Sequence, residues 1–461
     1  MIRCEHGQEV MNSGGVASSV IFCVALSAAF VTRLAFLDAG FGNDPDSWRV
    51  ANVAREMALT GRYSASRLPG FPVHEIVCAL FVPFGAVALN AASALMSAVA
   101  VALFALFMRR EGCRDYALAG AAFAFTPVVY IASTTTIDYM WGSAFLVGAL
   151  YLTRTYRPVS AGICVGIATG CRITSILMSA PLAYLFWTES VSRGDRAGKV
   201  LSSFIGAASV IAVTVLAPPF LTYGFGFLHY YETDSRTLLS SVRTMTIGVW
   251  GPLGFAGVLA AICGCVLYRC FKAHAARSVS SDSLLRASFM ALALYGLAFL
   301  RLPHEPGYLI PTVPLFLFCL SRLLGRTAFV VACLAVVVSP FFQLATTDVR
   351  EGPIVADYRE RLLWTRFTRY VAQVEDTLPQ NSVLVAGDWL PKLDRREPVS
   401  GHHRFFELTS EEAQMYAKQG FAIYYLPGQR RYAGGGIAQA TPLVGDTVEE
   451  AHNFMLMRQE K

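Results

Sequence analysis

Long apolar runs separated by short basic clusters fill the chain up to about residue 345, and polar residues dominate after it. A hydrocarbon core of about 30 Å requires roughly 20 apolar residues of helix. The windows 16–37, 86–108, 200–221, 248–268 and 327–345 meet that length. Shorter apolar runs lie at 116–133, 138–153, 158–171, 174–187, 286–302 and 307–321. The pattern predicts a mainly α, polytopic helical membrane protein with about ten or eleven transmembrane helices over 1–345. A small soluble α/β domain follows over 346–461.

Two runs need separate treatment. Residues 16–37 start late and lack a small-residue cleavage site before Asp38, so they read as a retained first helix and not as a signal peptide. The run 71–84 is only about 14 residues long, which suits an interfacial or re-entrant element better than a crossing. The pair 158–171 and 174–187 is also short and reads as two half-helices broken near Cys171 and Arg172.

Charge then fixes an orientation. Basic clusters fall at Arg109, Arg110 and Arg114; at Arg154 and Arg157; at Arg193, Arg196 and Lys199; at Arg269, Lys272, Arg277 and Arg286; and at Arg322 and Arg326. Placing all five in the cytoplasm satisfies the positive-inside rule. The outer face then receives segments 38–73, 133–138, 221–247 and 302–307, together with the C-terminal domain. The expected location is a bacterial inner or plasma membrane.

Composition agrees. The chain is 54% hydrophobic and 15% charged, where soluble domains carry about a quarter charged residues. The net charge of +6 sits mostly in short loops and calls for no nucleic acid. None of the eleven cysteines lies in 346–461, and the Cys263-Gly-Cys265 spacing sits inside an apolar run, so neither a disulfide framework nor a zinc site is expected.

The first outer loop has its own structure. Asp44, Pro45, Asp46 and Ser47 form a helix-start signal. Val50, Val53, Ala54 and Met57 then recur at helical spacing, with Arg49, Asn52, Arg55 and Glu56 between them, until Gly61 ends the element. This predicts an amphipathic helix along the membrane surface. Arg67, Leu68, Pro69, Gly70, Phe71 and Pro72 turn the chain back.

The stretch from Asp46 to Gly61 with the following Arg67 to Pro72 resembles the first loop of GT-C superfamily glycosyltransferases. The branch is the one that uses polyprenyl-phosphate sugars, the protein O-mannosyltransferase and lipid A aminoarabinose transferase type. Its pattern D-x-x-x-Y-x-x-x-A-x-x-[LM]-x-x-x-G places a catalytic acid at Asp46, with Asp44 two residues away as the alternative. Val50 stands where an aromatic is common. Three later stretches resemble the same family: Thr126 through Asp138, Gly170 through Thr174, and Arg301 through Pro311, which holds His304, Glu305 and Tyr308.

The resemblance implies transfer of a sugar from a polyprenyl-phosphate donor to a glycan, lipid or protein acceptor in the cell envelope, at the surface of the membrane lipids. Such transfer needs a base at the nucleophile and cations at the departing phosphate. Asp46 would take the acceptor proton, and direct displacement would invert the anomeric carbon. Asp138 would orient the acceptor or help hold a divalent cation; no cofactor is otherwise implied, and metal dependence stays open. Arg172, Arg243, Arg301, His304 and Arg67 are the candidates for the phosphate, because guanidinium pairs bidentately with phosphate oxygens.

Plainer roles stand beside these. Asp46 could cap the 47–60 helix, Asp138 the helix after it, and Arg172 could serve a structural ion pair. Arg301 and His304 could anchor helix ends, Arg236 and Arg243 could be solvated loop residues, and Arg33 is expected to snorkel. His402 and His403 read as an exposed loop. Gly434, Gly435 and Gly436 read as a flexible tip. Two other classes of function remain: a transporter or flippase for a lipid-linked glycan, and a non-catalytic membrane scaffold. Transporters tend to carry charges near the midplane and internal repeats, whereas the acids here sit at the outer boundary.

Overall fold

The computed structural model describes residues 23–24, 26–228, 237–271, 282–344, 349–393, 402–433 and 440–459. The chain divides into two compact units, one of residues 1–38 and 53–356, the other of residues 39–52 and 357–461. The expectations for Arg236, Lys272, Arg277 and Gly434 to Gly436, and for the start of the first apolar run, fall outside the described residues.

The larger unit is helical. Five helical stretches are long and apolar enough to cross a membrane: Pro72–Arg110, Ala197–Gly226, Leu238–Leu267, Ser283–Arg301 and Pro306–Leu323. Tyr116–Phe125, Pro158–Cys171 and Arg326–Val338 are shorter apolar helices. The remaining runs are shorter than their hydropathy suggested because the backbone is interrupted. Pro127 separates Tyr116–Phe125 from Pro127–Ala132, since the residue before a proline is pushed out of helical conformation. Arg172 is extended (φ −159°, ψ 118°) between Pro158–Cys171 and a 3-10 turn at Ile173–Met178, so the expected break falls on that residue. The expected helix 327–345 stops at Val338; Pro340 follows, and β1 (Phe342–Leu344) pairs antiparallel with β2 (Val349–Glu351).

The short element expected at 71–84 is the helix Pro72–Phe81, joined by a 3-10 turn at Val82–Phe84 to Gly85–Arg110. Gly85 takes φ +81° at that junction, a conformation open to glycine.

Packing within the unit is close where glycines meet side chains. On Pro158–Cys171 the glycines 162, 166 and 170 form one stripe facing Ala197–Tyr223. A Cβ on Gly166 would stand 2.6 Å from Ile211 Cβ, one on Gly170 would stand 2.5 Å from Val215 Cγ2, and one on Gly162 would collide with the Phe204 carbonyl. Small residues at four-residue spacing let helix backbones approach in this way. The other side of Ala197–Tyr223 is bare, with Val213 71% and Leu221 81% exposed. An apolar surface of that kind is suited to lipid.

The smaller unit is α/β. Its parallel sheet runs β4-β3-β5-β6, with β3 at Ser382–Val385, β4 at His402–Phe405, β5 at Ala422–Tyr425 and β6 at Thr441–Pro442. Val383 and Val385 point to one face, with Leu408, Ala413 and Ile423. Leu384 points to the other, where Trp364, Phe367 and Val371 of the helix Pro353–Glu375 pack with Trp389 and Met455. The helix Ser410–Lys418 begins with a capping box in which Thr409 and Glu412 satisfy each other's backbone N–H groups. The expected strands and helices are present, and β4, β6 and the helix Val448–Gln459 are additional. His402 and His403 lie in β4 and not in a loop: both belong to a strand paired in parallel register with Ser382 and Val383.

Residues 39–52 are built into this unit. Asn43 donates to Asp357 Oδ1 at 2.8 Å, Lys392 donates to the Asn43 carbonyl at 2.5 Å, and Asn52 donates to the Pro391 carbonyl at 2.8 Å. Phe41 meets Trp48 edge to face at 5.0 Å.

Candidate active site

The re-entry loop 61–71 carries the first basic candidate and is shaped by a buried carboxylate. Glu75, 0% exposed, accepts the Tyr63 hydroxyl at 2.7 Å, the Ser66 N–H at 2.7 Å, the Ser66 hydroxyl at 2.5 Å and the Phe71 N–H at 3.0 Å. A carboxylate out of water is tolerable only with such a shell. Burial, then the neighbouring Glu75, holds the Tyr63 phenol above its ordinary value, so it stays a neutral donor. Arg67 is thereby set over the Phe71 ring, 4.3 Å from its centroid.

Asp138 stands at the head of the helix Tyr139–Arg154, but its side chain makes no capping bond. It is 0% exposed. Its Oδ1 accepts Arg67 Nη2 at 3.2 Å, and its Oδ2 accepts Arg172 Nη1 at 2.6 Å. One carboxylate therefore holds two guanidiniums from distant parts of the chain, and the array keeps one net positive charge. Removing Asp138 from such a buried set leaves both guanidiniums uncompensated, at a cost of about 3–5 kcal/mol.

The segment before Asp138 is fixed from beneath. Thr136 donates to Asn90 Oδ1 at 2.8 Å. Arg33 donates to Ser133 Oγ at 2.6 Å and to the Ala124 carbonyl at 2.7 Å, and it also bonds the Ala29 carbonyl. Arg33 is only 1% exposed, so it does not snorkel as expected. The buried acceptors Ser133 and Ala124 take the place of water.

Aromatic rings orient Arg172. Its guanidinium lies 4.4 Å from the Tyr139 centroid and 4.5 Å from that of Tyr308, a placement in which the ring faces attract the cation. Tyr139 in turn donates to Glu305 Oε2 at 2.5 Å. Gly307 makes the crowding possible, since a Cβ there would lie 2.5 Å from the Tyr139 ring.

This array borders a cavity of about 240 Å³ whose lining includes Arg67, Phe71, Arg172, Tyr295, Arg301 and Tyr308. The structure thus brings together Arg67, Asp138, Arg172 and Arg301. Arg243 ends the short helix Leu238–Arg243, and neither it nor His304 lines this cavity. A second cavity of about 420 Å³, almost wholly apolar, shares the 283–301 helix and the 306–312 turn and is lined by Trp250, Val258, Leu292, Leu309 and Phe316.

In the smaller unit the two first-loop acids have distinct jobs. The Asp46 N–H donates to Asp44 Oδ1 at 2.8 Å, so Asp44 caps the helix Pro45–Thr60. The Asp46 carboxylate meets Arg49 one turn on, at 2.9 Å. Among the described residues no group of three or more His, Cys, Asp or Glu side chains is placed to hold a metal ion.

Three contributors went unread in the sequence. Glu75 belongs to a short apolar run, where an ionisable residue is itself a signal. Tyr139 and Tyr295 looked like ordinary aromatic residues of apolar helices.

No family model and no curated protein matches the chain. Among solved structures, ArnT from Cupriavidus metallidurans in the apo state is similar with a TM-score of 0.47 at 17% identity, covering 79% of this chain and 66% of that one. ArnT from the same organism bound to undecaprenyl phosphate is similar with a TM-score of 0.45 at 17% identity, covering 78% and 66% respectively. The chain therefore spans 66% of the length of these structures.

Proposed function

We propose that this chain is an integral membrane glycosyltransferase of GT-C type, which moves one sugar from a polyprenyl-phosphate carrier to an acceptor at the extracytoplasmic face. The single observation that carries the reading is the array of Arg67, Asp138 and Arg172 beside a cavity that Arg301 also lines. In the donor the phosphate is a diester with one negative charge. As the bond from the anomeric carbon to the phosphate oxygen breaks, that oxygen keeps the electron pair and the charge grows towards two. Fixed guanidiniums meet this growing charge better than the initial one, which lowers the barrier.

The acceptor hydroxyl oxygen forms the new bond from the opposite side, with inversion, and gives its proton to a base. The first-loop resemblance assigns that base to Asp46. Asp44, which caps the same helix, is the alternative base. Asp138 serves as the positioning anion for Arg67 and Arg172, its two oxygens each held by one of them. The apolar cavity next to the 306–312 turn offers a place for isoprenoid units of the carrier.

The test uses the full chain in nanodiscs, a sugar-labelled polyprenyl phosphate, and source membranes as the supply of acceptors. Wild type moves label to the acceptor and frees polyprenyl phosphate. Arg172→Ala slows this by about a hundredfold or more, as expected for loss of one charge-stabilising donor. Asp46→Asn abolishes transfer and leaves polyprenyl-phosphate binding intact. A wild-type chain that moves the labelled lipid between leaflets without transferring sugar is a flippase, and one that binds no polyprenyl phosphate ends the reading.

A further inference from the structure

The lining of the 240 Å³ cavity includes a buried hydroxyl with no hydrogen-bond partner among the described residues. It belongs to Tyr295, which is 2% exposed. Buried hydroxyls are nearly always bonded, because water lost on burial must be replaced. A phenylalanine would fill the same volume without that penalty, so the hydroxyl calls for an explanation. Helix spacing supplies the context: Tyr295, Ala298, Phe299 and Leu302 recur at three and four residues and all face the cavity. Arg301 closes the same helix, and Arg172 lies across the cavity on the extended break.

We infer that Tyr295 is a phosphate-binding residue of this site, its hydroxyl donating to a phosphate oxygen of the polyprenyl carrier between Arg172 and Arg301. The inference rests on the transferase reading above and adds a neutral donor to the cations. Cations attract a phosphate from any direction, whereas an O–H bond has a preferred line. Tyr295 thus fixes which oxygen faces the guanidiniums, and its cost in the empty site is repaid on binding.

The test is Tyr295→Phe in the full chain, with Arg172→Ala as reference, binding polyprenyl phosphate and the matching polyprenol in nanodiscs. Tyr295→Phe is expected to unfold at the wild-type temperature or slightly above when empty, because it sheds an unsatisfied hydroxyl. It is expected to bind polyprenyl phosphate about ten- to a hundredfold more weakly, the effect of one hydrogen bond to a charged group. Its affinity for the polyprenol should match wild type, since that lipid lacks the phosphate. If Tyr295→Phe binds the phosphate like wild type while Arg172→Ala has lost it, the assignment of Tyr295 is overturned and the transferase reading stands. If both variants bind like wild type, both ideas fall.

Discussion

Among individual residues, Glu75 shows how a buried charge can shape a site without facing it. Its carboxylate gathers four donors from a loop of nine residues, and Arg67 rides on that loop. Glu75→Gln keeps the volume but turns one acceptor into an NH₂ group that faces other donors. We expect a loss of about 2 kcal/mol and weaker polyprenyl-phosphate binding through a displaced Arg67. Thermal unfolding and a binding isotherm check this, and an unchanged pair of values refutes it. Legibility at this scale followed charge. Arg172 and Asp138 stood out because an ion in apolar surroundings needs a reason. Tyr295 and Tyr139 carry no charge, and nothing in their spacing distinguishes a ring that meets a cavity from one that fills a core. Arg243 and His304 had the right chemistry in the right loops, but only the folded backbone decides which loop residues converge.

Among elements, hydropathy located the helices but few of their breaks: Thr126-Pro127 lay inside the run 116–133, read as one helix, and only Cys171-Arg172, marked by a charge, was readable. The strand β4 was not, because His402 to Phe405 alternates weakly and its partner is β3, which the chain reaches only across 394–401. The glycine stripe on Pro158–Cys171 was also passed over, since its meaning depends on which helix lies opposite. Gly166→Leu tests it. The added side chain meets Ile211 and should cost about 3 kcal/mol or more. Gly206→Leu on the opposite helix, where a Cβ meets nothing within 4 Å, should be neutral. Unfolding temperatures in detergent compare the two, and equal effects would remove the stripe from the packing argument.

At the scale of the whole molecule, the division into units cuts the helix Pro45–Thr60 between Asn52 and Val53. No local pattern marks that point, because residues 39–52 join their unit through partners more than 300 positions later, such as Asp357 and Pro391. Orientation is testable here. In a cysteine-depleted chain, His304→Cys should react with an impermeant maleimide on intact cells, and Arg114→Cys only after permeabilisation. The opposite labelling pattern would invert the proposed sidedness. The glycine stripe finally bears on how the protein meets bilayers of different thickness. Its repeats are four residues apart, about 6 Å along the axis, so the two helices cannot slide past each other by less without a collision. Arg172 follows two residues after the last glycine, and its level is set like a mark on a ruler. On the transferase reading proposed above, the lipids must deform to bring a headgroup to that mark when the membrane thins or thickens, and turnover is expected to depend on hydrophobic mismatch.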